Sequence, residues 1–401
     1  MHSPIEKVRV LFGNVDEALT THSGPPYSDD VCSYLNELAD QLMKDSAALE
    51  YPDVVSFAFW CRKTNISKLR HGYNPSHIRL GLGTVFHIAP ANVPINFAFS
   101  YAFSLLAGNS NVVRVSSKDF PQTAVVLSAI EAVLSSGQYA EIKRRTCFVS
   151  YEHDETINAY LSANCSARII WGGDDTIGSI RRHPIPIRGI DVAFADRYSF
   201  CAIRAASVTE LDNEELIKLA SGFYNDTYLN DQNACSSPHL IVWVGRGHEI
   251  TEAKKMFWET VAQVAESRYE LQPIQGVDKF THACRNALDL GAAKHFTVYK
   301  NYVYTVDVDS LDNVSETLRG QCGYFYQYDT ENINEVAGIV TNRYQTLTYY
   351  GLDKIVLADF IINNKLAGID RIVPIGSALD ISIIWDGLDL VSALSRICEI
   401  R

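Results

Sequence analysis

The stretch GTVFHIAPANVPINFAFSYAFSLLAGNSNVVRV, residues 83–115, carries the pattern that decides the fold. A short apolar run, Thr84–Ile88, is followed by a turn with two prolines and then by an apolar helical run, Ile95–Ala107. A second short run, Val112–Val115, follows a Gly-Asn turn. Buried parallel strands have nearly continuous apolar sequences, and a helix usually connects one strand to the next. The stretch therefore predicts a strand–helix–strand unit of an open parallel sheet.

The same alternation continues toward the C-terminus. Strands are predicted at Cys147–Ser150 and Arg168–Trp171, with helices at Glu155–Ser162 and Thr176–Arg182. A second run of strands and helices begins near residue 199 and includes a helix predicted over residues 278–290. Alternating strands and helices are typical of α/β proteins with helices covering a parallel sheet. Two α/β lobes with a cleft between them are the simplest architecture, with ligands expected at the carboxyl ends of the strands.

The first eighty residues are predicted to be helical. Ser28 precedes two aspartates and an apolar repeat that runs from Val31 to Leu42, which is typical of a helix and its N-cap. Pro52 begins a second apolar repeat and is suited to the first turn of a helix.

Composition excludes several classes of protein. The 401 residues are 47% hydrophobic, which excludes a disordered chain, and the net charge of −12 argues against a nucleic-acid binder. The nine cysteines are odd in number and none forms a C-x-x-C pair, so neither a disulfide framework nor a zinc ribbon is expected. The N-terminus lacks an apolar signal segment, and we expect a reduced, cytoplasmic protein.

One uncharged window, Gly81–Val113, is long enough to span a membrane. Pro90 and Pro94 interrupt it and would leave backbone groups unsatisfied in lipid. We therefore expect no membrane span.

Two polar positions follow the first predicted strands. Asn92 has two interpretations: its amide donates a hydrogen bond to a developing oxyanion, or it caps the following helix, which the local sequence favours. Arg114 ends the next strand and is followed by Ser116 and Ser117. A cation at this end of a strand suits a ribose or a phosphate, whereas a solvated surface position is the alternative.

Two further segments carry possible chemistry. Trp171–Gly178 places two glycines at a strand-to-helix turn, where a phosphate can approach backbone N–H groups, although a tight turn without a ligand explains it equally well. Cys235 lies in the polar loop Asn230–Pro238, where a thiolate would be exposed. Most of the other cysteines lie in apolar runs and are typical of buried core residues.

Taken in this order, the four segments resemble the aldehyde dehydrogenase superfamily. Gly83–Ala124 resembles its P-W-N-F-P segment with the following G-N-x-V-V strand, Trp171–Gly178 resembles F-T-G-S-x-x-V-G, and Asp231–Pro238 resembles the G-Q-x-C loop. A closer similarity is to the LuxC-type acyl reductases. It is carried by Cys-Ser-Ser-Pro at 235–238, Tyr-Pro-Asp-Val at 51–54, Asp370–Gly376 and Trp385–Gly387.

The resemblance implies an aldehyde dehydrogenase-like α/β fold with three parts. Residues 1–200 are expected to hold N-terminal helices and a Rossmann-like nicotinamide cofactor domain, and residues 201–376 a catalytic cysteine domain. Residues 377–401 are expected to form a tail that packs back on the cofactor domain or on a partner subunit. Cys235 is then the nucleophile, and Asn92 is the oxyanion donor together with the backbone N–H of Cys235. The residues implied to bind the cofactor are Ile88, Ala89, Pro90, Arg114, Ser116, Gly172, Gly173, Asp174 and Ile177.

Two departures from the superfamily pattern bear on the reaction. Phe194 stands where hydrolytic members have a water-activating Glu, and a phenyl ring is not a general base. A clear E-x-F-G-P segment is absent, and Gln321–Phe325 is the nearest sequence. We therefore expect thioester exchange rather than hydrolysis.

The expected reaction is NADPH-dependent reduction of an acyl thioester to the aldehyde through an acyl group on Cys235. NADPH is favoured over NADH because Arg114 suits a 2′-phosphate and the two serines stand where NAD-preferring members often have a Glu. The expected acyl donor is CoA, an acyl carrier or an acyl-protein synthetase-like partner, and the resemblance implies a homo-oligomer. The alternatives are an oxidising aldehyde dehydrogenase, an acyl-phosphate reductase and an inactive scaffold for an acyl-activating partner.

Overall fold

The computed structural model describes residues 4–73, 77–289, 293–313 and 316–401. Contacts divide the chain into two units, which are described separately. The first unit comprises residues 1–195 and 381–401, and the second comprises residues 196–380.

The first unit contains a six-stranded sheet in the order β1-β5-β4-β3-β6-β7, parallel except for β1. Its strands are β1 (Arg9–Phe12), β2 (Ile78–Gly81, outside this sheet), β3 (Thr84–Ile88), β4 (Ser110–Arg114), β5 (Thr146–Ser150), β6 (Ala167–Trp171) and β7 (Ile190–Phe194). Its helices are α1 (Val15–Thr20), α2 (Asp29–Lys44), α3 (Ser46–Leu49), α4 (Pro52–Cys61), α5 (Lys63–Gly72), α6 (Asn96–Leu106), α7 (Pro121–Leu134), α8 (Ala140–Arg144), α9 (Glu155–Ala163) and α10 (Asp174–Arg181), with a 3₁₀ turn at Pro4–Lys7.

Alternate side chains of β3 enter two different apolar cores. Val85 packs with α2, α4, α6 and α7, whereas Phe86 and Ile88 pack with α1, α9 and α10. Side chains of a strand point alternately to the two faces of its sheet, so helices cover both faces. All five residues of β3 are buried for this reason.

The second unit contains a seven-stranded sheet in the order β10-β11-β12-β9-β8-β13-β14, parallel except for β10. Its strands are β8 (Tyr198–Arg204), β9 (Pro238–Val244), β10 (Ala293–Tyr299), β11 (Val303–Val308), β12 (Tyr324–Thr330), β13 (Tyr344–Tyr350) and β14 (Arg371–Pro374). Its helices are α11 (Ala205–Thr209), α12 (Asn213–Thr227), α13 (Gly247–Arg268), α14 (Pro273–Asp289) and α15 (Lys354–Asn363), with 3₁₀ turns at Tyr228–Asn230, Leu311–Asn313 and Ile333–Ile339.

The C-terminal residues return to the first unit. They form β15 (Ile384–Trp385), β16 (Leu388–Asp389), α16 (Leu390–Ala393) and β17 (Ser395–Cys398). β17 pairs antiparallel with β2, and Leu390, Val391 and Leu394 are buried in the core of the first unit.

The predicted α/β class and the parallel sheets are confirmed, and α2 begins after Ser28 as predicted. The prediction that the first eighty residues are helical is wrong at β1 and β2. Both are short strands whose partners, β5 and β17, lie far away in sequence, so no local pattern announces them. The helix predicted over 278–290 is α14, and residue 290 lies outside the described residues.

Candidate active site

The candidate cofactor residues lie at one edge of the first sheet. The chain leaves β3 through α6 to β4 on one side, and leaves β6 through α10 to β7 on the other. The loops after β3 and β6 therefore diverge at the carboxyl edge, which is where open α/β sheets bind ligands. Ile88 ends β3 and is followed by Ala89 and Pro90, and Gly172–Asp174 follow β6.

The loop after β3 is bonded to the end of β4. The backbone N–H of Ala89 donates to the Arg114 carbonyl at 3.3 Å, and the Ser116 hydroxyl donates to the Ala91 carbonyl at 3.4 Å. The Arg114 guanidinium lies 4.6 Å from the Tyr151 ring centre and donates to the Tyr151 carbonyl. The structure thus brings Ala89, Arg114 and Ser116 together.

Asn92 lies in the same loop and is exposed. The local prediction that it caps the following helix is wrong, because α6 begins at Asn96 after Ile95, with no side-chain cap. Val93, Pro94 and Ile95 separate Asn92 from the first helical residue, so Asn92 does not occupy the N-cap position.

The turn after β6 leads directly into α10. Gly173 occupies the N-cap position without a side-chain cap, and a Cβ there would meet nothing within 4 Å. The space beside Gly173 at the start of α10 is therefore open, and a helix N-terminus favours an anion. Asp174 and Asp175 add negative charge to the same turn and oppose it. Ile177 is buried in the core beneath.

A buried chain of polar side chains connects β4, β3 and β6 below this edge. His87 Nε2 lies 3.0 Å from Asn111 Oδ1, and His87 Nδ1 lies 2.8 Å from the Ser100 hydroxyl, which accepts from Trp171 Nε1 at 3.1 Å. Because Asn111 Oδ1 only accepts, His87 carries its proton on Nε2. Burial lowers the pKa of His87 to about 4, so the ring is neutral at physiological pH.

Sequence analysis missed this chain. The only indication of these hydrogen bonds in the sequence is the presence of polar residues inside otherwise apolar runs.

Phe194 is buried and its ring stacks on Trp171, with ring centres 3.9 Å apart. The two residues are paired in register on β7 and β6. This position therefore presents an apolar ring and no proton acceptor.

Cys235 belongs to the second unit and lies in the loop that enters β9. It is half-buried, whereas five of the nine cysteines, all within the described residues, are buried. Its loop is at the amino end of β9, the edge opposite to the carboxyl ends at which ligands are predicted. The loops before β8, β12 and β13 share this edge because these strands are parallel to β9 and lie close to it in the sheet.

Gln232 fixes the cysteine loop. Its amide is fully buried, donates to the carbonyls of Pro238 and Tyr324 at 3.1 and 2.9 Å, and accepts from the N–H groups of Gly323 and Tyr324, both at 3.2 Å. Gln232 itself has φ +63, and Asp231 has φ +51, so both lie in the left-handed region. The four bonds hold this strained turn against the loop before β12.

Other contacts hold the loop from either side. The Ser199 hydroxyl donates to the Cys235 carbonyl at 2.6 Å and accepts from the Thr346 N–H at 3.1 Å. The Ser237 hydroxyl donates to the Asp226 carbonyl at 2.7 Å. Strands β8 and β13 and helix α12 thus position the cysteine backbone. Sequence analysis assigned a supporting role to none of these residues, because a single sequence does not show which backbone group a side chain contacts.

His239 is the histidine nearest to Cys235 in sequence. It is buried, stacked on Tyr198, and its pKa is lowered to about 3 by burial and by Arg319. It is therefore neutral and is not a pre-charged partner for a thiolate.

Within the described residues, no three His, Cys, Asp or Glu side chains form a group able to hold a metal ion. No helix in that part of the chain has both the length and the apolar character needed to cross a membrane.

The fold is that of the aldehyde dehydrogenases. A 1-pyrroline-5-carboxylate dehydrogenase from Thermus with bound NAD is similar at TM-score 0.64 and 11% identity, over 96% of this chain and 85% of that chain. A bifunctional proline utilization A protein is similar at TM-score 0.62 and 16% identity, over 92% of this chain and 40% of that chain. At these identities the similarity shows the fold alone.

The chain belongs to the acyl-CoA reductase (LuxC) family, whose profile matches residues 24–398. It is 24% identical over 305 residues to a long-chain acyl-protein thioester reductase of Photorhabdus luminescens, covering 73% of this chain. A long-chain acyl-protein thioester reductase of Photorhabdus laumondii is 25% identical over 317 residues. The chain spans 58% of the length of each of these relatives. The resemblance seen in the sequence is thereby confirmed.

Proposed function

We propose that this protein reduces an acyl thioester to the aldehyde, with Cys235 as the nucleophile. The family match over residues 24–398 is the observation that carries the proposal. The printed activity of the Photorhabdus relatives, long-chain acyl-protein thioester reduction, agrees with it.

The Cys235 thiolate attacks the acyl carbon, the bond to the donor sulfur breaks, and the departing thiolate takes up a proton. Rigid support of the backbone on both sides of Cys235 keeps the sulfur in one position during this exchange. We assign the Asn92 amide the role of donor to the oxyanion formed at the acyl carbon, by the family resemblance. Phe194 supports transfer rather than hydrolysis, because its buried ring cannot activate water.

The first sheet has residues that fit a nicotinamide cofactor. The loops after β3 and β6 would hold the cofactor through Ile88–Pro90, Gly172–Asp174 and Ile177. The open space beside Gly173 would leave room for it. Arg114 and Ser116 at the end of β4 would contact its ribose or a 2′-phosphate. When bound in its reduced form, the cofactor supplies the two electrons that take the acyl group to the aldehyde level.

Intact-mass measurement after incubation with acyl-CoA or acylated carrier protein, without reductant, tests the nucleophile. We expect one acyl group per chain, absent in Cys235→Ala and retained in Cys284→Ala, which removes the exposed cysteine of the same unit. An adduct that survives Cys235→Ala would refute the assignment.

A substrate panel separates the alternatives. An oxidising dehydrogenase would convert aldehyde to acid without added thiol, an acyl-phosphate reductase would prefer the phosphate, and a scaffold would turn over none of them.

We also propose that NADPH is preferred over NADH. Arg114→Gln should lower kcat/KM for NADPH by about ten- to hundredfold, the loss of one charged hydrogen bond, and leave that for NADH nearly unchanged. Steady-state kinetics with both cofactors decide this, and a higher kcat/KM for NADH in the native protein would contradict it.

A further inference from the structure

Helix α14 turns polar side chains toward the protein. Lys279 and Asn286 lie on the same side of the helix and are 3% and 8% exposed. By contrast, Ile274, Phe280 and Leu288 are 62%, 59% and 84% exposed. A surface helix normally buries its apolar residues. Helix α14 is therefore oriented to bury polar groups, and Lys279 is a charged group among them.

The Lys279 ammonium is held by backbone carbonyls. Its Nζ donates to the carbonyl of Cys322 at 2.8 Å and to those of Asn301 and Tyr302. It also lies 5.1 Å from the centre of the Tyr304 ring. Burial lowers the pKa of Lys279 to about 8, so the ammonium is the main form at pH 7. A lysine is rarely buried without a paired charge, and among the described residues these three carbonyls take that place.

One peptide group joins this ammonium to the cysteine loop. The carbonyl of Cys322 accepts from Lys279 Nζ. The N–H of Gly323 belongs to the same peptide and donates to Gln232 Oε1 at 3.2 Å. A cation at the carbonyl oxygen polarises the peptide and strengthens the hydrogen bond that its N–H donates. The charge of Lys279 therefore strengthens the support of Gln232, which lies three residues before Cys235.

Two turns with left-handed backbone meet at this point. Cys322 and Gly323 have φ +54° and +90°, and Asp231 and Gln232 in the cysteine loop have φ +51° and +63°. The Cys322 N–H donates to the Asp231 carbonyl at 3.1 Å, so the two turns are also bonded directly. Residues other than glycine keep such a conformation only where their surroundings hold them in it. A charged donor on the Cys322 carbonyl is a restraint of this kind.

We propose that Lys279 is a positioning residue for the nucleophile. Its ammonium holds the Cys322–Gly323 turn, and that turn, through Gln232, holds the loop of Cys235 in the conformation that attacks the acyl carbon. The inference rests on the proposed role of Cys235 and extends it. Because the hydrogen bonds of Lys279 go to backbone carbonyls, its loss should slow acyl transfer without weakening the binding of the acyl donor.

Single-turnover acylation of the full chain by palmitoyl-CoA, followed by intact mass at pH 7, separates the rate of transfer from binding. Lys279→Met replaces the ammonium by an apolar group of similar length. We expect the maximal acylation rate to fall at least tenfold, with the half-saturating concentration of palmitoyl-CoA changed less than twofold. Lys279→Gln, which is neutral but polar, is a second variant and should show the same pattern.

Lys254→Met is the matched control for the substitution. Lys254 is another largely buried lysine of the second unit, and its Nζ lies 2.6 Å from a carboxylate oxygen of Asp307 and of Asp329. These aspartates are near the carboxyl ends of β11 and β12, at the edge of the sheet opposite to the cysteine loop. The acylation rate of Lys254→Met should stay within twofold of the native rate.

Chemical rescue tests whether the charge is what matters. n-Propylammonium contains the carbon and nitrogen atoms that Lys279→Ala deletes. We expect it to raise the acylation rate of Lys279→Ala at least fivefold, because it can donate to the same three carbonyls. n-Propanol, which is of similar size and uncharged, should not restore the rate, and neither compound should change the rate of the native protein.

Amide hydrogen exchange gives a readout that does not depend on catalysis. The N–H groups of Gly323 and Tyr324, which donate to Gln232, should exchange at least tenfold faster in Lys279→Met than in the native protein. In Lys254→Met they should exchange at the native rate.

The outcomes separate this inference from the proposed function. A native protein that takes up no acyl group would refute the proposed function and the inference with it. In a protein that does take up the acyl group, unchanged exchange in Lys279→Met would refute the inference alone. Equal acylation losses in Lys279→Met and Lys254→Met, a loss carried only by the half-saturating concentration, or no rescue by n-propylammonium would do the same.

Discussion

Gln232, three residues before Cys235, shows how one side chain sets the geometry of a reactive loop. Both ends of its amide are used, and every partner is a backbone group on Pro238 or in the loop that enters β12. A buried amide with four bonds can be replaced only by a group that satisfies the same four backbone atoms.

Gln232→Leu should therefore lower the free energy of unfolding by about 3 kcal/mol, because it leaves buried N–H and carbonyl groups without partners. Acyl transfer to Cys235 should fall at the same time. Urea unfolding and intact-mass kinetics measure the two effects. Gln321→Leu is the control, since Gln321 is exposed and makes one side-chain bond, to Asn233, and should cost under about 1 kcal/mol. Equal losses in the two variants would contradict the assignment.

At the level of elements, Asp226 ties the end of α12 to the turn after β14. Its carboxylate accepts from the N–H groups of Gly376 and Ala378 at 2.6 and 2.8 Å, and its carbonyl accepts from Ser237 in the cysteine loop. Burial outweighs the two donors and raises its pKa to about 7.

This raised pKa predicts a pH dependence of stability. Between about pH 4 and pH 7 the folded chain binds a proton at Asp226 that the unfolded chain has released, so stability falls as pH rises through that window, by about 4 kcal/mol. Subtracting the stability–pH curve of Asp226→Asn from that of the native protein isolates this contribution. Asp212→Asn, at the exposed N-cap of α12, should keep the native slope. Parallel stability–pH curves for the native protein and for Asp226→Asn would refute the assignment of this pH dependence to Asp226.

At the level of the whole molecule, residues 381–401 complete the first unit. Leu394 is fully buried there, and its carbonyl accepts from Asn109 Nδ2 at 2.9 Å. Asn109 and Leu394 are more than 280 positions apart in the sequence. The packing of the first unit therefore depends on a segment that is distant in sequence.

Leu394→Ala should cost about 2–5 kcal/mol through the cavity that it leaves. Hydrogen exchange should show lost protection at β2 and α6 of the first unit, with β8 and β9 of the second unit unchanged. Ile397→Ala, an exposed position on β17, serves as the control and should change little. Uniform loss of protection across both units would show that the C-terminal segment does not act on the first unit alone.

The pattern of apolar and polar residues predicted those strands and helices that are marked by their own periodicity. Thr84–Ile88 is β3 as predicted, and the apolar repeat after Ser28 is α2, because a strand or helix is marked by its own periodicity. β1 and β2 escaped prediction because each is a strand only through pairing with a distant segment. The prediction that Asn92 caps the helix was wrong because α6 begins only at Asn96, with Ile95 at the N-cap.

Sequence alone determined the alternation of strands and helices that begins at β3, the family and the distinction of Cys235 from the other cysteines, since periodicity and loop composition are properties of neighbouring residues. Tertiary structure decided which polar groups are paired: Gln232 with Tyr324, about ninety positions away, and His87 with Asn111 and Ser100. It also decided the orientation of α14, whose apolar side faces outward. The physical reason is that buried hydrogen bonds must be satisfied by whichever strand and register bring partners together, and that choice is made across the whole sheet.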